Sequence, residues 1–396
     1  MRLVAFTALC VFSASVPATA DQALFETCLV RLEQAAGARG ISGDTVDRVF
    51  PALQYQARVV ELDRTQPEFT QTFADYFGKR VSSYRIEKGR TLLAQYGDFL
   101  ADLSRRYGVP GPYLVSFWGL ETNYGSTLGT MPTLDSLATL ACDERRSQFF
   151  TTEFLLALEL MEKERLDAGH MRGSWAGAVG HTQFMPSTYL GYAVDGDGDG
   201  ALDLWGSPRD ALASAANFLN QLGWKPEERW GREVKLPKDF DYTMTREQRS
   251  LDEWRSLGVR RADGSALPMV AGMMAELVVP AGHTGPAFLV YANFAVIMQW
   301  NRSTNYALSV GHLADRIAGA GPLLQAIPDD QPRLSRTQVI QLQQSLLAAG
   351  FDGGEPDGLL GPKTRAALRE FQASKDLVAD GFPDKKTLEV LGIALF

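Results

Sequence analysis

The spacing of apolar residues predicts that most of the chain is helical. Between residues 21 and 111, apolar positions recur at intervals of three and four, as in Leu24, Cys28 and Leu32. This is the period of one face of an α-helix, and few strand signals interrupt it. The same spacing returns in two later segments, residues 149–166 and 211–222.

Residues 266–293 have a different pattern. Short runs rich in Val, Leu, Phe and Tyr are split by Pro280-Ala281-Gly282 and by Gly285-Pro286, as in strands joined by a turn. The sequence therefore predicts a small β-hairpin on a helical body.

Two loop-forming stretches, Gly-Ala-Gly-Pro at 319–322 and Pro-Asp-Asp-Gln-Pro at 328–332, predict a domain boundary. The predicted division is a first domain at 21–325, a linker at 326–333 and a second domain at 334–396.

The second domain contains an internal repeat. Asp-Gly pairs at 357–358 and 380–381 are each followed by a threonine, Thr364 and Thr387. We expect each turn to lead into a helix that the threonine caps. A segment of this size has a small core, so we predict a compact helical bundle without catalytic function.

Composition and charge exclude some functions. The chain has 396 residues, of which 45% are hydrophobic and 22% charged, as in globular proteins. Its formal net charge of -8 argues against nucleic-acid binding, which depends on clustered Lys and Arg.

Residues 1–20 resemble a cleaved signal peptide, with Arg2, an apolar run at 3–12 and the small residues Ala18-Thr19-Ala20. The run is too short to cross ~30 Å of hydrocarbon, and no later segment is long and apolar enough. Cys10 lacks a good lipidation context. We therefore predict export, with no transmembrane segment and no lipid anchor.

Two cysteines remain after the signal peptide, Cys28 and Cys142. Disulfides persist in an exported protein, so these two are candidates for a disulfide, and the alternative is a pair of buried thiols. The four histidines form no His-Glu-x-x-His motif, so zinc hydrolysis has no support.

Glu121 is the first candidate for chemistry. A helix predicted from Tyr113 would end near Glu121, before Asn123 and Gly125. Neighbouring aromatic residues would bury the carboxyl in part, and the helix C-terminus would disfavour its charge. Both effects would raise its pKa, as a general acid requires. The alternative is a structural hydrogen-bonding residue.

A glycine-rich segment at 173–189 is the second candidate. Its glycines allow close backbone approach, and Ser174, Gln183 and Tyr189 offer neutral donors and acceptors. This chemistry suits a sugar better than a charged ligand, although a simple loop between helices is the alternative.

An acidic loop is the third candidate. Carboxylates at alternate positions between glycines can converge on a calcium ion, as in an EF-hand. The twelfth loop position, counted from Asp195, is Gly206, where a bidentate Glu would be expected. Either the loop is longer, with Asp210 as the distal ligand, or the site is weak or empty. The alternative to metal binding is a solvated acidic turn. The candidate ligands are Asp195, Asp197, Asp199, Asp203 and Asp210.

These motifs, in this order, resemble the B-type lytic murein transglycosylases over about residues 25–317. The tail at 334–391 resembles the three-helix peptidoglycan-binding domain. The resemblance implies a mainly α fold: a lysozyme-like helical catalytic domain with a small β insertion, followed by the peptidoglycan-binding bundle.

The resemblance also implies site residues. Glu121 would be the single acid/base, and Ser174 and Gln183 would contact the sugars beside it. Trp300 and Phe218 stand where tyrosines are usual in the family. Their rings could still stack on a sugar, but the hydrogen bond of a tyrosine hydroxyl would be lost. The other residues that it places along the glycan are Tyr124, Arg145, Arg146, Asn301 and Tyr306.

The implied function is cleavage of peptidoglycan between N-acetylmuramic acid and N-acetylglucosamine, with 1,6-anhydro ends, in the periplasm. The chemistry needs no cofactor, and a structural calcium ion is an expectation of the acidic loop. Expected partners are glycan strands and proteins of wall synthesis or division. Two alternatives remain, a hydrolytic muramidase and a non-catalytic wall-binding scaffold.

Overall fold

The protein is described by a computed structural model that covers residues 20–64 and 71–395. The predicted signal peptide therefore lies outside the described residues, apart from Ala20. The helices are α1 Ala20–Arg39, α2 Gly43–Val49, α3 Ala57–Arg64, α4 Phe73–Arg80, α5 Ser83–Gln95, α6 Gly97–Tyr107, α7 Gly111–Thr122, α8 Thr133–Cys142, α9 Ser147–Lys163, α10 Pro186–Tyr192, α11 Pro208–Gln221, α12 Leu251–Ser256, α13 Ala292–Trp300, α14 Thr304–Ile317, α15 Arg336–Ala348, α16 Pro362–Ser374 and α17 Lys385–Val390.

Helix α7 is the centre of the main core. Pro110 and Pro112 begin it, where a missing backbone N–H costs little, and Asn123 ends it in the left-handed conformation with φ 50°. Nearly all of its side chains are buried, and α5, α6, α11 and α14 surround it. The Ser116 hydroxyl donates to the Val310 carbonyl of α14 at 2.7 Å. This packing fixes where the end of α7 lies.

A second core joins α1, α8 and α9. Cys28 of α1 and Cys142 at the end of α8 are disulfide-bonded, with Cα atoms 5.8 Å apart. Phe154 of α9 is fully buried in this core and meets Phe50 edge to face. The disulfide therefore connects the N-terminal helix to the middle of the chain.

The body also contains two antiparallel sheets. The predicted hairpin is confirmed as β6 and β7, but it belongs to a five-stranded sheet in the order β4-β6-β7-β3-β5. The additional strands are short or largely polar, so they carry little apolar alternation for sequence reasoning to detect. The strands are β1 Met131–Pro132, β2 Arg172–Gly173, β3 Gly231–Lys235, β4 Gln248–Ser250, β5 Arg260–Arg261, β6 Met274–Val278 and β7 Ala287–Val290.

The C-terminal bundle consists of α15, α16 and α17 around a small core. The repeat builds two similar buried contacts: Gln343 Nε2 donates to Thr364 Oγ1 at 3.2 Å, and Gln372 Nε2 to Thr387 Oγ1 at 3.1 Å. The prediction that these threonines cap the helices was wrong. Each is the third residue of its helix, and Asp384 caps α17. The glutamines, distant in sequence, bind the threonines instead.

None of the helices within residues 20–64 and 71–395 is long and apolar enough to cross a membrane.

Candidate active site

Glu121 is the last residue but one of α7, and it is partly buried. The chain turns sharply after it, because both Asn123 and Tyr124 are left-handed, with φ of 50° and 62°. Thr122 Oγ1 donates to the His181 carbonyl at 2.7 Å. The end of α7, which carries Glu121, is thus tied to the glycine-rich segment.

Two donors from the far part of the chain meet one oxygen of this carboxyl. Trp300 Nε1 donates to Glu121 Oε1 at 2.9 Å, and the Tyr306 hydroxyl donates to the same oxygen. Burial, followed by the charge of Glu121, holds the pKa of Tyr306 well above its usual value, so the phenol keeps its proton. Helices α13 and α14 therefore orient the carboxyl.

Aromatic rings surround Trp300. Its centroid lies 4.5 Å from that of Phe117, 5.4 Å from Phe184 and 5.3 Å from Phe218. Phe218 also packs against Tyr192 at 4.7 Å. Trp300 and Phe218, which stand where tyrosines are usual, thus belong to one aromatic wall beside Glu121. At position 300 the indole N–H supplies the hydrogen bond to the carboxyl.

The glycine-rich segment is held by its own polar side chains. Ser174 Oγ accepts from Ala178 N at 3.1 Å, and Gln183 Nε2 donates to the carbonyls of Leu128 and Gly180, each at 3.0 Å. Gly180 has φ 73°, and a Cβ there would lie 2.5 Å from the Leu204 carbonyl oxygen. Ser174 and Gln183 therefore shape the loop, and their contact with sugars stays a prediction.

Tyr124 lies behind the end of α7. Its side chain is buried, its hydroxyl donates to the Arg85 carbonyl at 2.5 Å, and its ring meets Trp118 edge to face. A Cβ at Gly119 would lie 2.7 Å from the tyrosine ring. Tyr124 thus supports the helix on which Glu121 stands, and its predicted sugar contact remains a prediction.

The paired arginines share one partner that the sequence did not reveal. Arg145 and Arg146 both form ion pairs with Asp63, whose side chain is buried. Burial lowers the pKa of Arg146. Asp63 is 82 residues before Arg145, and no local pattern marks it. The pair is thus fixed to α3, while its role in binding glycan stays a prediction.

Asn301 caps the end of α13, between Trp300 and α14. Its Oδ1 accepts from Ser303 N at 3.1 Å, which fixes the short turn that separates the two donors to Glu121. Asn301 therefore lies between the two donors to Glu121 in the chain, and its predicted place in the lining of the cleft stays a prediction.

His181 is a neighbour of the acid to which the sequence motif assigned no individual role. Trp118 Nε1 donates to His181 Nδ1 at 3.1 Å, so this ring nitrogen accepts and the imidazole is neutral. Burial lowers its pKa. A Cβ at Gly125 would lie 2.3 Å from the ring. The lack of a side chain at Gly125 thus leaves space for the neutral His181 ring, which is hydrogen-bonded to Trp118 of α7.

The acidic loop brings three of its five candidate ligands together. Oxygens of Asp195, Asp197 and Asp210 lie within 4.8 Å of one another. Asp210 is buried and accepts from Gly196 N at 2.9 Å. The remaining two candidates accept from backbone N–H groups of the following turns: Asp199 and Asp203. The donor set is all oxygen, which suits calcium.

Removing the Tyr306 hydroxyl tests the orientation of the acid. We expect Tyr306→Phe to lower kcat about 10- to 100-fold with little change in KM, because a hydrogen bond to a charged group is lost. Losing this donor also destabilises the carboxylate, so Glu121 should keep its catalytic proton to higher pH and the alkaline limb of the pH–rate profile should move to higher pH. Tyr192→Phe, in the same aromatic wall, should leave both unchanged. Equal profiles for the two variants would contradict the role of Tyr306.

The fold and site define a class. A lysozyme-like helical body that holds one carboxyl at the end of its central helix, beside an aromatic wall and a glycine-rich loop, is typical of enzymes that cleave glycans. Comparisons make this specific: residues 24–315 match the Transglycosylase SLT domain model, and residues 335–391 match a peptidoglycan binding domain. The chain belongs to the transglycosylase SLT domain family.

Solved structures agree with this assignment. SltB3 from Pseudomonas aeruginosa, solved with NAG-anhNAM-pentapeptide, is 44% identical, covers 93% of this chain and 99% of its own, and has a TM-score of 0.88. Slt35 from Escherichia coli, solved with calcium, is 28% identical over 76% of this chain and 94% of its own, with a TM-score of 0.63.

The sequence of a curated relative also supports the family assignment. The membrane-bound lytic murein transglycosylase B of Escherichia coli (strain K12) is 32% identical over 250 residues. The match covers 61% of this chain and 66% of the relative, just under two thirds of its length. The chain is therefore placed among the lytic transglycosylases.

Proposed function

We propose that this protein cleaves the β-1,4 bond between N-acetylmuramic acid and N-acetylglucosamine in peptidoglycan and leaves 1,6-anhydromuramic acid ends. Residues 21–325 form the catalytic domain, and residues 334–396, after a linker, bind the wall. The observation that carries this proposal is the Glu121 carboxyl, oriented through Oε1 by Trp300 and Tyr306.

The mechanism uses one carboxyl twice. Glu121, protonated on Oε2, donates its proton to the bridging oxygen as the bond to the anomeric carbon breaks. The acetamido group of the muramyl residue stabilises the resulting cationic centre. The Glu121 carboxylate then accepts the proton of the 6-hydroxyl, whose oxygen bonds to the anomeric carbon. The enzyme returns to its starting protonation, and no water is consumed.

The nearest acids after Glu121 in the sequence have other partners, which supports a single-carboxyl scheme. Asp135 accepts from Gln54 N and from Gln56 Nε2. Asp143 pairs with Arg64 and accepts from Arg145 N. Hydrolytic glycosidases need a second carboxyl near the bond to activate water or act as the nucleophile, and these two are engaged in holding α3 and the N-terminal segments.

Product analysis tests the proposal. We expect mass spectrometry of sacculi digested by the protein to show muropeptides with anhydro ends, each lighter by one water than a hydrolytic product. Reducing ends as the main product would identify the protein as a hydrolytic muramidase instead.

Location follows from the predicted signal. The mature protein begins after residue 20, lies in the periplasm and carries no lipid anchor, because Cys10 has a poor lipidation context. N-terminal sequencing of the exported protein checks this: a start at Asp21 supports it, and a lipid-modified cysteine refutes it.

Calcium binding at the acidic loop is a separate prediction. Carboxylates of Asp195, Asp197 and Asp210 provide the hard oxygen ligands, and binding at 100 times Kd stabilises a protein by about 2.7 kcal/mol. We expect calcium to raise the melting temperature of the wild type but not of Asp197→Ala. Asp263→Ala, which removes an exposed carboxylate from the turn after β5, should respond as the wild type does. No response in the wild type would leave the loop as a turn.

Removing the tail tests wall binding. We expect a chain ending at Pro332 to pellet poorly with intact sacculi, because α15 to α17 are absent, and to cleave short soluble glycans without stem peptides as the full chain does. The measurement is co-sedimentation beside a soluble cleavage assay. Undiminished pelleting would contradict the role of the bundle.

A further inference from the structure

A cavity of about 230 Å³ lies between the catalytic body and the C-terminal bundle. The body supplies residues 71–73, 278–280 and 302–305, and the bundle supplies residues 360–362 and 382–383 among others. Glu121 does not line it. The cavity therefore forms only where the two parts of the chain meet, and it is distinct from the acid itself.

Positive charge dominates the wall of this cavity. Arg246 and Arg302 come from the body, and Arg365 and Arg369 come from the bundle, while Asp380 is the one carboxylate among the lining residues. Four arginines and one aspartate line the cavity, and within the described part of the chain only Arg246 also pairs with a glutamate, Glu276. Positive charge therefore remains in excess, and an incoming carboxylate would be attracted there.

Asp380 is already engaged by other groups. Its Oδ2 accepts from the His283 backbone N–H and lies 2.8 Å from His283 Nδ1, and its Oδ1 accepts from Phe382 N at 2.8 Å and from Gln372 Nε2 at 3.3 Å. The bond to Asp380 raises the pKa of His283. This carboxylate links the bundle to the body, and its one negative charge also acts on both Arg365 and Arg369.

Arg365 and Arg369 of the bundle lie close enough to Arg246 of the body for their charges to interact. Arg365 Nη1 donates to the Gly381 carbonyl at 3.4 Å. Burial lowers the pKa of Arg365 to about 10; the charge of Asp380 opposes this shift, and the charges of Arg246 and Arg369 add to it. Arg246 pairs with Glu276 at 2.7 Å. A buried guanidinium beside like charges is costly unless an anion pairs with it.

One residue that lines the cavity is close in sequence to a residue of the candidate active site. Arg302 follows Trp300, a donor to Glu121, by two residues, so their Cα atoms are at most about 7 Å apart. The same chain segment therefore carries a donor to Glu121 and a residue lining the cavity.

We propose that this interdomain cavity binds the carboxylates of the stem peptide carried by the muramyl residue that reacts at Glu121. This inference rests on the proposed function. Guanidinium groups suit such a ligand, because each can bind a carboxylate through two parallel hydrogen bonds. The bundle would thus help to select strands that still carry their peptides, and its role would extend beyond holding the wall.

The test compares binding of two product-like ligands to the full chain by calorimetry. One is the anhydro disaccharide with a tetrapeptide, and the other is the same disaccharide without peptide. We expect the wild type to bind the peptide form about tenfold to 100-fold more tightly. In the double variant Arg302→Gln/Arg369→Gln this advantage should fall below about threefold. Arg260→Gln, an exposed arginine on β5, should keep it.

Two results would overturn the cavity proposal: equal affinity of the wild type for both ligands, or an unchanged advantage in the double variant. Digestion of sacculi by the same preparations separates this from the enzyme assignment. Cleavage without any peptide advantage removes only the cavity proposal, whereas a protein that binds both ligands but never cleaves sacculi removes the proposed function.

Discussion

Glu121→Gln is expected to abolish release of muropeptides from sacculi, with kcat lowered at least about 1,000-fold, because an amide can neither donate the acid proton nor accept one from the 6-hydroxyl. The amide oxygen can still accept from Trp300 and Tyr306, so the site should keep its shape. The measurement is the initial rate of release, beside the melting temperature and sacculus pelleting.

The control for this variant is Glu144→Gln, which removes an exposed carboxylate near the paired arginines. It should cleave as the wild type does. If Glu121→Gln retained more than about one tenth of the wild-type rate while folding normally, the carboxyl would not be the general acid.

Loss of the disulfide should have the largest effect on stability. The bond between Cys28 and Cys142 closes a loop with a sequence separation of 114, and the chain-entropy model gives about 4–5 kcal/mol for loops of this length. We expect the double variant Cys28→Ser/Cys142→Ser to lose about 3–5 kcal/mol of unfolding free energy. The measurement is denaturant unfolding without reductant.

The same pair offers an internal control. Adding reductant should bring the wild type to the stability of the double variant and leave the variant unchanged. Activity at 25 °C should persist in both, since the bond is partly buried against the core of α1, α8 and α9, whereas α13 and α14 carry the donors to Glu121. Equal stability of oxidised wild type and variant would contradict the expected contribution.

The sequence predicted the helices well because each signal is local. The helix predicted at 113–121 is α7, Gly111–Thr122, and its ends follow from Pro110 and Asn123. The sheet was predicted only in part: β6 and β7 carry long apolar runs, whereas β4 consists of polar residues that only pairing with β6 makes a strand. Short edge strands depend on their partners, which a sequence window does not contain.

The site shows the same limit. Glu121 is predicted from its own motif, and Trp300 and Tyr306 from the family resemblance. Their direct contact could not be predicted, because 179 and 185 positions separate the donors from the acid. The ion pairs of the two arginines with Asp63 were missed for the same reason. Long-range hydrogen bonds are set by how helices pack, and one sequence gives no measure of that packing.

The most direct test of the account is digestion of purified sacculi in water labelled with heavy oxygen, followed by mass spectrometry of the released ends. The account predicts anhydro ends without label from the wild type and no release by Glu121→Gln. Labelled reducing ends, or anhydro ends produced equally by both proteins, would contradict it.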